Sequence, residues 1–134
     1  MGVIIDTSVW VDIERGRLKP VEVANRIGND AVFLTPTILA ELQYGVERAS
    51  TPARQNLRLS ALARLQRKPC LSLDRNTGIL FGRIAAQLDK RGKPATHRLH
   101  DLWIAASAIQ HGFHLLTRNA SHFDDIPGLR LIVV

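Results

Sequence analysis

Residues 1–10 read MGVIIDTSVW. Val3, Ile4 and Ile5 form a short apolar run, and Asp6, Thr7 and Ser8 follow without a spacer. An apolar run lacking polar alternation is the pattern of a strand buried on both faces. The stretch SVWVDIERG (8–16) predicts a short helix closed by Gly16. A carboxylate therefore stands where a buried strand hands over to a helix. In an open parallel sheet, binding crevices form outside the carboxyl ends of the strands.

Working outward, the same alternation continues. PVEVANRIGN (20–29) predicts a second helix with Pro20 in its first turn. AVFL (31–34) reads as a second strand. Thr35–Pro36 gives an N-cap and first-turn proline for a helix over 36–49, with Ile38, Leu42 and Val46 on one face. Thr51–Pro52 repeats the signal for a helix over 53–68, stopped by Pro69. CLSL (70–73) reads as a third strand, and Asp74 caps a helix over 75–92. KPATHRLH (93–100) reads as a loop, and DLWIAASAIQHG (101–112) as an almost wholly apolar helix. FHLLT (113–117) and LRLIVV (129–134) read as a fourth and a fifth strand. Strands alternating with helices, most of the strands unbroken apolar runs, predict an α/β fold: a three-layer α/β/α sandwich around a short, mostly parallel sheet. No repeat, linker or low-complexity tract interrupts it, so one domain over residues 1–134 is expected.

Composition sets bounds on function. The chain has 134 residues, 46% of them apolar and 22% charged with mixed signs, which argues against disorder. No apolar run approaches the length of a membrane span, and no signal peptide is expected. The lone Cys70 has no internal disulfide partner, which fits a reducing cytoplasm, and it is expected to be a small buried hydrophobe. The net charge of +6 favours a polyanionic or acidic partner.

Against that basic background the acids are placed conspicuously. Asp6 lies just past the first strand. Glu41 falls beside Ile38 and Gly45 at the edge of an inward helix face. Asp101 opens an otherwise apolar helix, where a cap or first-turn acid is the alternative reading. Thr117 and Asn119 follow the fourth strand, and Asp124 and Asp125 lie in a turn beyond. Gathering three or four carboxylates in one cleft raises their pKa values, and a divalent cation removes that penalty. Oxygen donors of this kind suit Mg²⁺ or Mn²⁺. Zinc spacings are absent, since His97, His100, His111, His114 and His122 form no HxxxH pair. His97 and His100 read as solvated loop residues close to Asp101.

Four segments together carry a family resemblance: VIIDTSVWVDIERG (3–16), LTPTILAELQYGV (34–46), HDLWIAASAIQHG (100–112) and LLTRNASHFDDIPGLRLI (115–132). In this order they resemble the PIN-domain ribonucleases, and among those the VapC-type toxins of toxin–antitoxin pairs. The resemblance implies a metal-dependent endoribonuclease in which Asp6, Glu41 and Asp101 hold Mg²⁺ or Mn²⁺. The family's fourth position is often Asp and here is Asn119, so the site has one negative charge fewer unless Asp124 or Asp125 compensates. The stretch ATHRLH (95–100) departs from the smaller, Gly-containing loop of many members. The resemblance also implies restraint by a VapB-type antitoxin and a tendency to form homodimers. Leu57, Leu62 and Leu65 offer either a groove or dimer face, or ordinary contacts with the sheet. Thr7, Ser8, Thr117 and Arg118 are candidate RNA contacts, with the arginine-rich helix over 53–68 beside them.

Other readings fit less well. A haloacid-dehalogenase-like phosphatase needs a second Asp two residues after the first, where this chain has Ser8. A receiver domain needs an acidic pair near its start. A PIN-like module that binds RNA or protein without cutting is the alternative that Asn119 leaves open.

Overall fold

The computed structural model describes all 134 residues, Met1–Val134. Four strands, β1 (Gly2–Ile5), β2 (Ala31–Phe33), β3 (His114–Thr117) and β4 (Arg130–Val133), form one sheet in the order β2-β1-β3-β4. Every pairing is parallel. Six α-helices connect them: α1 (Thr7–Glu14), α2 (Pro20–Ile27), α3 (Pro36–Glu47), α4 (Pro52–Leu65), α5 (Arg75–Lys90) and α6 (Leu99–His111). No helix is long and apolar enough to cross a membrane.

The strand alternation builds two cores. Ile4 and its register partner Leu115 face Ile38, Ile84, Leu88 and the apolar side of α6. Val3, Ile5 and Leu116 face Val9, Leu18 and Val23 on the other side. Period-2 geometry sends neighbouring residues to opposite faces, so a doubly covered strand must be apolar throughout. This is the expected three-layer α/β/α sandwich. The caps behave as their residues predict. Thr35 accepts from the Ile38 N–H and Thr51 from the Arg54 N–H, each at 3.2 Å, and Asp74 accepts from the Thr77 N–H at 3.1 Å.

Several boundaries differ from expectation. Residues 70–73 are not a strand. Leu34 donates to the neighbouring segment and accepts from it, but only one bridge, Leu34 to Cys70, forms, so the sheet has four strands. Ser72 and Leu73 are exposed, so this segment lacks the buried side chains that hold a strand in register. Cys70 itself is exposed rather than buried. In the 93–100 stretch, Ala95–His97 form a 3₁₀ turn and α6 begins at Leu99. Asp101 thus lies inside the first turn of α6, whose N-cap is Arg98.

Candidate active site

The parallel sheet puts the carboxyl ends of adjacent β1 and β3 side by side, and the site is built there. The Asp6 N–H donates to the Leu116 carbonyl at 2.9 Å, which extends the β1–β3 pairing one residue past the strand. Asp6 occupies the N-cap position of α1, yet its side chain makes no capping bond. Its Oδ2 instead accepts from Thr117 Oγ1 and from Ser8 Oγ, both at 2.8 Å. Ser8 Oγ also accepts from the Arg118 N–H at 3.2 Å, and Thr117 Oγ1 from the Asn119 N–H at 3.0 Å. Ser8, two residues after Asp6, thus holds its carboxylate from within α1.

Asp6, Thr7, Ser8, Glu41, Asp101 and Asn119 line one cleft of about 490 Å³. They come from the β1–α1 junction, α3, α6 and the segment after β3. Glu41 accepts from Thr7 Oγ1 at 2.9 Å. Burial raises its pKa; the Thr7 bond works against the rise, and the charges of Asp6 and Asp101 add to it. Burial likewise raises the pKa of Asp101, opposed by His122 and Arg98 and reinforced by Asp6. The three carboxylates therefore feel one another.

The stretch Thr96–His100 and His122 complete the lining. His122 Nδ1 lies 3.2 Å from Asp101 Oδ2. Its position four residues before Ile126 in a turn-rich segment carries no periodic signal, so sequence alone does not single it out. His97 and His100, read as loop residues, line the cleft from the 3₁₀ turn Ala95–His97 and from the first turn of α6.

Two sequence candidates lie outside the cleft lining. Thr117 is fully buried beneath Asp6. Arg118 turns its guanidinium to Asp12 Oδ2, at 2.9 Å, and to the Val134 carbonyl, at 2.8 Å. Asp124 and Asp125 are also absent from the lining, and Asp125 is bound to Arg98 instead. No acid replaces the charge that Asn119 lacks.

The cleft suits a hard cation by its donors, which are three carboxylates and a side-chain amide, and by its unbalanced negative charge. No three His, Cys, Asp or Glu side chains are drawn together as a formed ligand set, so the fit rests on donor chemistry and charge.

A match to the PIN domain family spans residues 3–129. Ribonuclease VapC1 of Rickettsia felis is 34% identical over 138 residues, covering 100% of this chain and 97% of that protein. This chain belongs to the VapC family of PIN-domain proteins. The VapC fold here superposes on the VapBC-5 toxin–antitoxin structure from Mycobacterium tuberculosis with a TM-score of 0.80, at 26% identity and full coverage of both chains (100% each). It matches the fold of VapBC2 from Rickettsia felis, solved bound to a promoter DNA fragment, with a TM-score of 0.84 at 24% identity, covering 100% and 99% of the two chains. In this VapC the family segments named above converge on the cleft: the first supplies Asp6, the second Glu41, the third Asp101 and the fourth Asn119.

Proposed function

We propose that the chain is the toxin of a toxin–antitoxin pair, a Mg²⁺- or Mn²⁺-dependent endoribonuclease that cuts structured RNA in the cytoplasm. One observation carries the reading. Asp6, Glu41 and Asp101, distant in sequence, share one cleft and burden one another's ionisation with no lysine among its lining residues and its only arginine, Arg98, bound to Asp125. A divalent cation held by these three, with Asn119 beside them, relieves that burden. When bound, it supplies Lewis-acid polarisation of a phosphate oxygen and acidifies water.

The chain's own groups have the following roles. Thr117 and Ser8 fix the Asp6 carboxylate through Oδ2. Thr7 occupies Oε1 of Glu41, which leaves Oε2 to take a proton from the attacking water. A carboxylate with a raised pKa is the better base for that transfer. Thr7, Ser8 and the exposed side chains of His97 and His100 are placed to meet the RNA backbone and bases. The +6 net charge supports binding of a polyanion.

For the antitoxin, the chain offers a separate apolar groove of about 420 Å³. Trp10, Leu42, Leu57, Leu62 and Leu65 line it, between α1, α3 and α4. An amphipathic helix of a VapB-type partner suits such a groove. Of those leucines, Leu62 is buried, while Leu57 is exposed at the groove. A homodimer of the toxin completes the proposed assembly.

Expression of the chain with and without the neighbouring gene product, followed by sequencing of new RNA 5′ ends, tests the reading. The expected result is growth arrest and a few cut sites. In vitro, the same cuts should require Mg²⁺ or Mn²⁺ and vanish with EDTA or with Asp6→Ala. Intact RNA under confirmed expression, or cutting retained in Asp6→Ala, overturns it.

A further inference from the structure

Arg98 and Asp125 meet fork to fork. Arg98 Nη1 donates to Asp125 Oδ2 at 3.1 Å and Nη2 to Oδ1 at 2.9 Å. Both side chains are largely covered, 19% and 11% exposed. Lys93 Nζ stands 3.8 Å from Asp125 Oδ2, and Arg91 Nη1 donates to the Asp125 carbonyl at 3.4 Å. Burial works to raise the Asp125 pKa, but the Arg98 and Lys93 charges outweigh it and hold the carboxyl low.

Arg98 is also part of the cleft. It lines the same wall as His97 and His100, and its carbonyl accepts the Leu102 N–H as α6 begins. Its charge already reaches Asp101, three residues on. Here is a planar, permanently charged group with five donors beside three carboxylates whose other basic neighbours in the cleft are histidines. A guanidinium free to turn would settle on those carboxylates and cancel the charge that draws a metal. Two charge-assisted bonds to Asp125 oppose that turn. The pairing leaves Arg98 Nε buried without a partner.

We propose that Asp125 is a positioning residue that holds the Arg98 guanidinium off the cleft, so that Asp6, Glu41 and Asp101 stay open to a divalent cation. The inference rests on reading those three as the cation's ligands. It gives an acid outside the cleft a role that does not require it to touch the ion.

Mn²⁺ binding to the full chain, followed by the loss of the free-ion electron paramagnetic resonance signal, tests this without any cleavage assay. Circular dichroism checks the fold of each variant. Asp125→Asn and Arg98→Gln break the same ion pair, yet opposite results are expected. Asp125→Asn frees the arginine and weakens Mn²⁺ binding roughly ten- to hundredfold, the range for outer-shell changes at metal sites. Arg98→Gln removes the competing cation and binds at least as tightly as the wild type. The double variant recovers the affinity that Asp125→Asn loses. Equal weakening in both single variants, no recovery in the double variant, or an Asp125→Asn protein that binds like the wild type each overturns the proposal while the metal reading survives. A wild-type chain that binds no Mn²⁺ overturns both.

Discussion

Thr117 Oγ1 donates to Asp6 Oδ2 across 2.8 Å, joining residues 111 apart in the chain at the ends of neighbouring strands. The threonine is wholly buried, so the orientation of the carboxylate is fixed from below by a group that solvent cannot reach. Thr117→Val keeps the shape and deletes the donor. Hydrogen bonds to charged groups contribute about 1.5–3 kcal/mol, and a loss of that size is expected in urea unfolding. The proposed metal-dependent RNA cleavage should fall with it, by roughly ten- to hundredfold.

The raised pKa values of Glu41 and Asp101 give a pH dependence of defined sign. Such a carboxyl binds more protons folded than unfolded between its ordinary range and its raised value. Stability from these groups therefore falls as pH rises through that window, and the deficit is complete above it. In EDTA at neutral pH, Glu41→Gln and Asp101→Asn are expected to stabilise the protein. Both side chains keep partial solvent access, so the gain is at most about 1 kcal/mol. Adding Mg²⁺ should raise the wild-type melting temperature more than that of either variant. Differential scanning calorimetry across pH, with and without the ion, reads both effects.

Arg118 ties α1 to the chain's last residue through Asp12 and the Val134 carbonyl. Arg118→Ala should cost about 1–3 kcal/mol, because it strands a part-buried carboxylate and a carbonyl. Chemical denaturation measures that cost. RNA affinity at the cleft, read by filter binding, is expected to change less than stability does.

Gly2 is buried in β1, and a Cβ there would lie 2.6 Å from Cζ of Phe113. That ring stacks on Phe33 with centroids 4.8 Å apart. Gly2→Ala must displace a ring already held by a partner, and overpacking of this kind costs about 1–3 kcal/mol. A lowered melting temperature and a shifted Phe113 ring resonance are the expected signs. An unchanged melting temperature would show that the ring moves freely.

Much of this was legible in the sequence because it is written in local chemistry. Val3–Ile5 announces a doubly covered strand, and Thr35–Pro36, Thr51–Pro52 and Asp74 announce helix starts that the backbone follows. The convergence of Asp6, Glu41 and Asp101 on one cleft followed from placing each at a strand end, an inward helix edge and a helix start. What stayed hidden depends on packing across the fold. Cys70 looks like a strand residue, yet at the sheet margin it finds only Leu34 to pair with. The first turn of α6 is written in Leu99 and His100, which lack the apolar period of the rest, so Asp101 read as the helix start. Nothing local in Asp125 reveals that Arg98, 27 residues earlier, claims it.

The central strands β1 and β3 are distant in sequence, and the cleft lies across their tips. During synthesis Asp6 is made 111 residues before its neighbour Thr117. A nascent or truncated chain lacking β3 has no assembled carboxylate cluster, however well its first helices form. The ribosome that makes this protein thus has to deliver β3 before the site can form.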